Sequence, residues 1–196
     1  MNILFHMLLS GDDNQLLVGN FMGDFVKGPL DDTYVPRIRR GLVLHRKIDS
    51  FAQGNAAFQA SRLRIAPYFG LYRGVLVDLF YDHFLAKEWS RWSEVPFPEY
   101  LSTTRVIIDT YLDIMPPRLQ EFVPVIFNQL LPSYAAVSGI ESALQRMSRR
   151  VSRANPLAGG AGELTRHYDE LQADFQVFMI SVQQFTTQFI SQEALT

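Results

Sequence analysis

Apolar residues recur at spacings of three and four along most of the chain, with little of the alternation that is typical of β-strands. This period matches the turn of an α-helix and predicts an all-α protein. Prolines and glycines divide the pattern, and a length of 196 residues suits a single helical domain spanning residues 1–196. Helices are expected near residues 15–26, 36–51, 56–64, 71–89, 99–114, 117–130, 134–151 and 163–190.

Basic residues are unevenly distributed although the formal net charge is only -2. Two runs hold nine of the eighteen Lys and Arg residues: Arg37, Arg39, Arg40, Arg46 and Lys47, and then Arg146, Arg149, Arg150 and Arg153. Concentrated basic faces on a nearly neutral protein favour a local acidic partner over general nucleic-acid binding. Ordinary solvated helix faces are an equally good interpretation from the sequence alone.

Cysteine is absent, which excludes a disulfide framework, a thiolate nucleophile and Cys-ligated zinc. Any bound metal therefore needs His and carboxylate ligands, and oxygen-rich sets favour Mn or Mg. No apolar run approaches the roughly 18 residues of a membrane span. The apolar start lacks a basic leader and soon meets Asp12 and Asp13, so we expect a cytoplasmic protein with no membrane span.

Two acid and histidine pairs lie at helical spacing among apolar neighbours. His45 precedes Asp49 by four residues, and Asp78 precedes Asp82 by four, with His83 directly after it. Residues four apart share one helix face, so each pair can present two ligands to one point. A weak surface pair worth about 0.3–0.5 kcal/mol is the alternative for His45 and Asp49. A helix-surface dipeptide is the alternative for Asp82 and His83.

Two further segments carry candidate ligands. Asp24 interrupts an apolar helix end, and His6 stands within an apolar run. Taken alone, Asp24 is best explained as a helix cap or a loop hydrogen-bonding group, and His6 is best explained as a buried core histidine. Their combination with the two pairs favours a metal site, because a cation would offset the repulsion of clustered acids. The chain has no Walker loop, nucleophile elbow, His-Glu-x-x-His helix or dinucleotide fingerprint.

Together these motifs resemble the bacterial acyl carrier protein phosphodiesterases, also called acyl carrier protein hydrolyases. The resemblance covers nearly the full length, and the order and spacing of the motifs make it specific. It rests on Met1-Asn2 with His6, Gly19 to Gly28, His45 to Asp49, Asp82 to Leu85 with Trp89, Met147 to Arg150, and His167 to Leu171.

The resemblance implies a helical fold distantly related to the HD metal-dependent phosphohydrolases and a divalent cation, typically manganese. It also implies removal of 4'-phosphopantetheine from a serine of holo acyl carrier protein. The chain has Asp82 before His83, the reverse of the order for which the HD superfamily is named. The implied metal-site positions are His6, Asp24, His45, Asp49, Asp82 and His83.

Asp24, His45 and Asp82 are the preferred ligands, and Asp49, Asp78 and His83 are expected to complete or orient the site. Asp24 and His83 are also expected to take part in catalysis. Arg46 is expected to neutralise phosphate charge, with an ordinary surface arginine as the equally weighted alternative. The basic residues Arg37, Arg39 and Arg40 are expected to dock the acidic carrier protein.

Two other functions fit the sequence. One is an HD-like phosphohydrolase acting on a nucleotide or another small phosphoester, because the same metal chemistry serves many leaving groups. The other is a non-catalytic helical module whose acids and histidines are structural and whose basic faces recruit partners. The sequence does not fix the oligomeric state.

Overall fold

The protein is all-α, as the apolar period predicts. A computed structural model describes residues 3–192, and those residues contain helices and turns but no β-strand. Met1 and Asn2 of the first motif lie outside the described residues. The helices are α1 (Ile3–Leu8), α2 (Asn14–Phe21), α3 (Pro36–Gly54), α4 (Ala56–Arg64), α5 (Tyr72–Lys87), α6 (Phe97–Thr110), α7 (Pro117–Val125), α8 (Leu131–Ser133), α9 (Val137–Arg150), α10 (Ala161–Arg166) and α11 (Tyr168–Ser191).

Predicted and observed helices agree best where a local signal sets the boundary. The prediction for residues 56–64 coincides with α4, whose first turn is capped by the Asn55 side chain. The segment predicted over residues 15–26 stops at Phe21, and a 3-10 turn (Gly23–Phe25) follows. The long helix predicted over residues 163–190 is two helices, α10 and α11, which meet at His167. The assignment of residues 1–196 to one domain stays a prediction.

Helices α2 and α3 pack in close backbone contact because each carries a glycine at the crossing. A β-carbon on Gly19 would lie 2.0 Å from the carbonyl oxygen of Ile38, and one on Gly41 would lie 2.3 Å from that of Leu16. Real β-carbons do not approach oxygen so closely, so any larger residue would separate the helices. The contact brings the C-terminal half of α2 against the face of α3 that carries His45.

Helix α1 is held against α5 by a buried carboxylate. Asp82 on α5 is fully buried and accepts hydrogen bonds from the backbone N–H groups of Leu4 (3.2 Å) and Phe5 (2.9 Å). Those amides belong to the first turn of a helix, where N–H groups have no partner within the helix and favour an anion. The arrangement fixes α1, and with it His6, against the rest of the protein.

Aromatic side chains fill the centre of the molecule. Phe178 on α11 packs against Phe5, Phe58 and Tyr81, with ring centroids 5.3–5.7 Å apart. These contacts join α1, α4 and α5 to the long α11, and the buried apolar side chains form one continuous cluster. Within residues 3–192, no helix combines the length and the apolar character that a membrane crossing needs.

Candidate active site

The structure brings His6, His45 and Asp49 together, although they come from α1 and α3. The two imidazoles stack with their centroids 3.9 Å apart and their planes 18° from parallel. The Nε2 atoms of His6 and His45 lie 3.4 Å and 3.5 Å from the two carboxylate oxygens of Asp49. One ligand atom from each residue falls within 4.8 Å of the others, which is the spacing of a group that could hold a metal ion.

Asn20 on α2 orients both imidazoles. Its side-chain oxygen lies 2.7 Å from Nδ1 of His6, and its backbone carbonyl oxygen lies 2.8 Å from Nδ1 of His45. Its amide nitrogen donates to the His6 carbonyl and to Ser10, which identifies the other side-chain atom as the acceptor. Both histidines therefore carry a proton on Nδ1 and direct Nε2 towards Asp49, which is the orientation of metal-ligating histidines. Sequence reasoning missed this role, although Asn20 belongs to the Gly19–Gly28 motif.

The environment of His6 favours a neutral ligand. Burial, and then the nearby charge of His45, lower the pKa of His6 below its ordinary value, more than the carboxylates of Asp49 and Asp24 raise it. Its Nε2 is also a buried atom without a hydrogen-bond partner. An unpartnered buried nitrogen is costly, and a bound cation would satisfy it. His6, which alone looked like a core histidine, thus has the environment of a ligand.

Asp24 approaches the same group from the 3-10 turn after α2. Its Oδ1 lies 3.7 Å from Nε2 of His45. Burial raises the pKa of Asp24, but the nearby imidazoles, first that of His45 and then that of His6, outweigh this effect and hold the pKa well below its ordinary value. The turn can pass so close because Gly23 has no side chain: a β-carbon there would lie 2.1 Å from Cγ of His45.

Asp78 adds a third carboxylate to the cleft beside these residues. A cavity of about 350 Å³ is lined by Asp24, Asp49 and Asp78. Burial raises the pKa of Asp78, and the negative charges of Asp49 and Asp24 raise it further. Three carboxylates around one cavity are mutually destabilising unless a positive charge lies among them. These carboxylates therefore place a region of negative potential beside the His6, His45 and Asp49 group.

Arg62 on α4 lines the same cavity and was not predicted from the sequence. Its Nη1 donates to Gln59 at 3.3 Å, whereas its Nε is buried and has no hydrogen-bond partner. Arg64, two residues later, is instead ion-paired with Asp174 at 2.9 Å. Nothing in the local sequence distinguishes the two arginines. Only the packing of α4 against α5 brings Arg62 to the cleft.

The structure does not bring Asp82 and His83 to the three-residue group. Both oxygens of Asp82 accept the α1 amides, and burial raises its pKa to about 8 against the effect of those hydrogen bonds. His83 is also buried, with Nδ1 at 2.8 Å from the Tyr134 carbonyl oxygen and Nε2 at 2.8 Å from the Tyr168 hydroxyl. Both ring nitrogens thus have protein partners. In this arrangement Asp82 supports His6 through α1, and His83 joins α5 to the C-terminal half of the chain.

Arg46 lies at the edge of the site. Its Nη2 donates to the backbone carbonyl oxygens of Gly28 (2.7 Å) and Val26 (3.5 Å), and its side chain is exposed. A smaller cavity of about 260 Å³ is lined by Arg46 together with Asp24, His45 and Asp49. Arg46 therefore holds the loop that follows Asp24, and its expected role in neutralising phosphate charge stays a prediction.

The three arginines that were expected to dock an acidic partner have partners within the chain. Arg37 is ion-paired with Asp13 at 2.8 Å, and Arg39 is ion-paired with Asp32. Arg40 donates to the Phe189 carbonyl oxygen at 2.5 Å and lies over the ring of that residue. These contacts hold loops and α11 against α3. Docking of an acidic partner by the three arginines stays a prediction.

Comparison with known proteins gives a consistent result. The family model described as acyl carrier protein phosphodiesterase matches residues 1–182. Proteins named acyl carrier protein phosphodiesterase are similar in Yersinia enterocolitica (28% identical) and Serratia proteamaculans (29%). One from Escherichia coli strain K12 is 29% identical. Each similarity spans 91% of this chain and 93% of the relative. No solved structure matches the chain, and the distant relationship to HD phosphohydrolases stays a prediction.

Proposed function

Because the chain belongs to the acyl carrier protein phosphodiesterase family, we propose that it hydrolyses the phosphodiester of holo acyl carrier protein. The products are the apo protein, with its serine hydroxyl restored, and free 4'-phosphopantetheine. The family and the names of its members indicate a phosphodiester hydrolase. The cleft beside His6, His45 and Asp49 supports this reaction because it combines a metal-ligand group, clustered carboxylates and an available guanidinium.

The residues that would hold a divalent cation are His6, His45 and Asp49, with Asp24 next to them. Two imidazole nitrogens and carboxylate oxygens form a donor set that suits manganese, and magnesium is the alternative because oxygen donors are abundant. The fit rests on the buried, unpartnered Nε2 of His6 and on the short distances among the three ligand atoms. When bound, the cation supplies Lewis-acid stabilisation of phosphoryl charge and activates water.

The chain's own groups divide the remaining work. Asp24 is ionised at neutral pH and faces the cleft, where it accepts a hydrogen bond from the attacking water and orients it. The water oxygen bonds to phosphorus and the water gives up a proton. The bond from phosphorus to the serine oxygen breaks, and that oxygen takes up a proton, so one water is consumed. Arg62 donates hydrogen bonds to the non-bridging oxygens as their negative charge develops. This role passes to Arg62 rather than Arg46 because Arg62 lines the carboxylate-lined cavity, whereas the Arg46 guanidinium donates to backbone carbonyl oxygens.

One observation carries the proposal: two stacked histidines, fixed in the same tautomer by Asn20, present their Nε2 atoms to one carboxylate. To hold each imidazole ring in place, one hydrogen-bonded nitrogen per ring would be enough. The second nitrogen of His6 is nevertheless buried, faces Asp49 and has no hydrogen-bond partner. Ligation of a cation explains why both rings are turned the same way.

Mass spectrometry of holo acyl carrier protein incubated with this protein tests the proposal directly. With manganese present, we expect a mass loss equal to the phosphopantetheine group and appearance of the apo form. A chelator should abolish the conversion, and manganese added in excess should restore it. The control is Asp109→Asn, which changes an exposed helix carboxylate paired with Arg105 and should convert the substrate normally.

Two outcomes would refute this function in different ways. Hydrolysis of a generic phosphodiester without conversion of holo acyl carrier protein would favour an enzyme for small phosphoesters. Absence of metal binding and of any hydrolysis would favour a non-catalytic helical module.

A further inference from the structure

Three arginine side chains from two helices line one cavity. Arg118 lies on α7, and Arg146 and Arg150 lie one turn apart on α9. All three line a largely apolar cavity of about 280 Å³. Partial burial, and then the charges of Arg118 and Arg146, lower the pKa of Arg150, so the three guanidinium groups are close enough to repel one another. We call these residues the arginine cluster.

No carboxylate among residues 3–192 lies within ion-pair distance of the arginine cluster. The Arg150 guanidinium lies 4.2 Å from the centre of the Phe122 ring, and Arg146 donates to the neutral Gln129 at 3.1 Å. These contacts orient the side chains but leave their charges uncompensated. By contrast, Arg37, Arg39, Arg64, Arg91, Arg105 and Arg166 all have carboxylate partners. Like charges gathered without a counter-ion form a binding surface for an anion.

The arginine cluster is continuous with the candidate active site. A cavity of about 630 Å³ extends from Asp24 to Arg118 and Arg150. Val75 lines all three cavities: this one, the one that contains Asp78 and the one that contains the arginine cluster. The three are therefore neighbours. Lys27 adds a further positive charge along this path, and Glu121 adds one negative charge. A macromolecule that places a phosphodiester beside Asp24 therefore has its surface over the arginine cluster.

We propose that the arginine cluster is the surface on which an acidic face of the carrier protein docks while its phosphodiester enters the cleft. The identity of the partner rests on the proposed function. The position of the docking surface rests on the uncompensated charge of the arginine cluster and on the continuity of the cavities. Complementary charge across such a surface speeds and orients the encounter and weakens as salt screens it. The surface differs from the one expected at Arg37, Arg39 and Arg40, whose groups already have partners within the chain.

Binding of holo acyl carrier protein to the full chain, measured in EDTA, tests the position of the surface apart from turnover. R118E/R150E should weaken binding by about tenfold or more and flatten its salt dependence. R37E/R39E makes the same change in net charge at the other basic run and should change affinity by less than about twofold. Arg118 and Arg150 are exposed, and thermal unfolding of each variant checks the fold. If charge reversal unfolds the protein, R118Q/R150Q removes the charge without adding repulsion.

The outcomes separate this inference from the proposed function. Undiminished binding by R118E/R150E, an equal loss in both double variants, or no binding by the wild type would overturn the docking surface. Selective loss in R118E/R150E supports it. If binding depends on the cluster but mass spectrometry shows no apo product, the docking surface stands and the proposed hydrolysis fails.

Discussion

The Nε2 atoms of His6 and His45 face the same carboxylate, because the two rings stack 3.9 Å apart and both are anchored at Nδ1 by Asn20. Residues 39 positions apart in the chain thus act as one unit. Ring stacking of two imidazoles is tolerable only when at least one is neutral, and burial keeps His6 in that form. The geometry leaves Asp49 as the shared partner, and this predicts how each change at the site should behave.

Asp49→Asn should remove most of the metal affinity without unfolding the protein. The Asp49 side chain is half-exposed, so its loss costs little packing, but an amide is a poor ligand for a divalent cation. A ligand that binds only the folded state raises the free energy of unfolding by about 2.7 kcal/mol when it is present at about 100 times its dissociation constant. Manganese should therefore raise the unfolding temperature of the wild type and of Asp109→Asn, but not of Asp49→Asn. An equal rise in all three would place the metal elsewhere.

Arg62→Gln should reduce kcat by a factor on the order of 10²–10³ while manganese binding is retained, because a positioned donor to developing phosphoryl charge is lost. Arg64→Gln is the matched control, since Arg64 lies on the same helix, is ion-paired with Asp174 and does not line the cavity. Arg46→Gln should have a smaller effect than Arg62→Gln, because Arg46 binds backbone carbonyls. A larger loss in Arg46→Gln would return the phosphate role to the residue favoured by the sequence.

Gly23→Ala should disable the site through a single methyl group. A β-carbon there would overlap the His45 ring, so the ring or the Asp24 turn must move. We expect loss of manganese binding and a stability cost of about 1–3 kcal/mol. Gly54→Ala is the matched control, because a β-carbon at that helix end meets nothing within 4 Å. Calorimetric titration with manganese and urea unfolding measure the two effects. Normal metal affinity in Gly23→Ala would contradict the placement of His45.

His83→Phe should affect stability rather than metal binding. The change leaves the Tyr134 carbonyl and the Tyr168 hydroxyl without their histidine partner, and a lost buried partner costs about 1–3 kcal/mol. Because both nitrogens of His83 are occupied, the manganese affinity of the folded variant should match that of the wild type. Urea unfolding and metal titration of the same preparation provide the test. A hundredfold weaker metal affinity would restore His83 to the metal site predicted from the sequence.

The fold and part of the site follow from local sequence patterns. The three-and-four period gives the helices, and the spacing of His45 and Asp49 places both on one face of α3. The same spacing argument groups Asp82 with Asp78, but a spacing cannot tell whether a carboxylate faces a cleft or the end of another helix. Asp82 meets the α1 amides because α1 packs on α5, which is a tertiary relationship. Arg62 and the arginine cluster depend on helix packing in the same way, and no local motif marks them.

Asp13 provides a test of stability that is independent of the active site. Its carboxylate caps α2 by accepting the Leu16 N–H at 2.7 Å and is ion-paired with Arg37. Burial opposes ionisation, but the N–H of Leu16 and the Arg37 charge outweigh it and hold the pKa of Asp13 below its ordinary value of 3.8. The native state therefore binds the proton less tightly than the unfolded chain. Stability from this carboxylate is fully present above the ordinary pKa and is lost as the pH falls through the folded-state pKa.

Asp13→Asn keeps a capping side chain but removes the charge. The wild type should exceed this variant in unfolding free energy by about 0.5–1 kcal/mol at about pH 7, because the ion pair with Arg37 is partly exposed. The difference should fade in acid, once the pH has fallen through the folded-state pKa and the native carboxylate is protonated. Urea unfolding of both proteins at the two pH values isolates this carboxylate, since all other titrating groups are shared. A difference that persists undiminished in acid would show that the Asp13 side chain stabilises the protein by its capping geometry rather than by its charge.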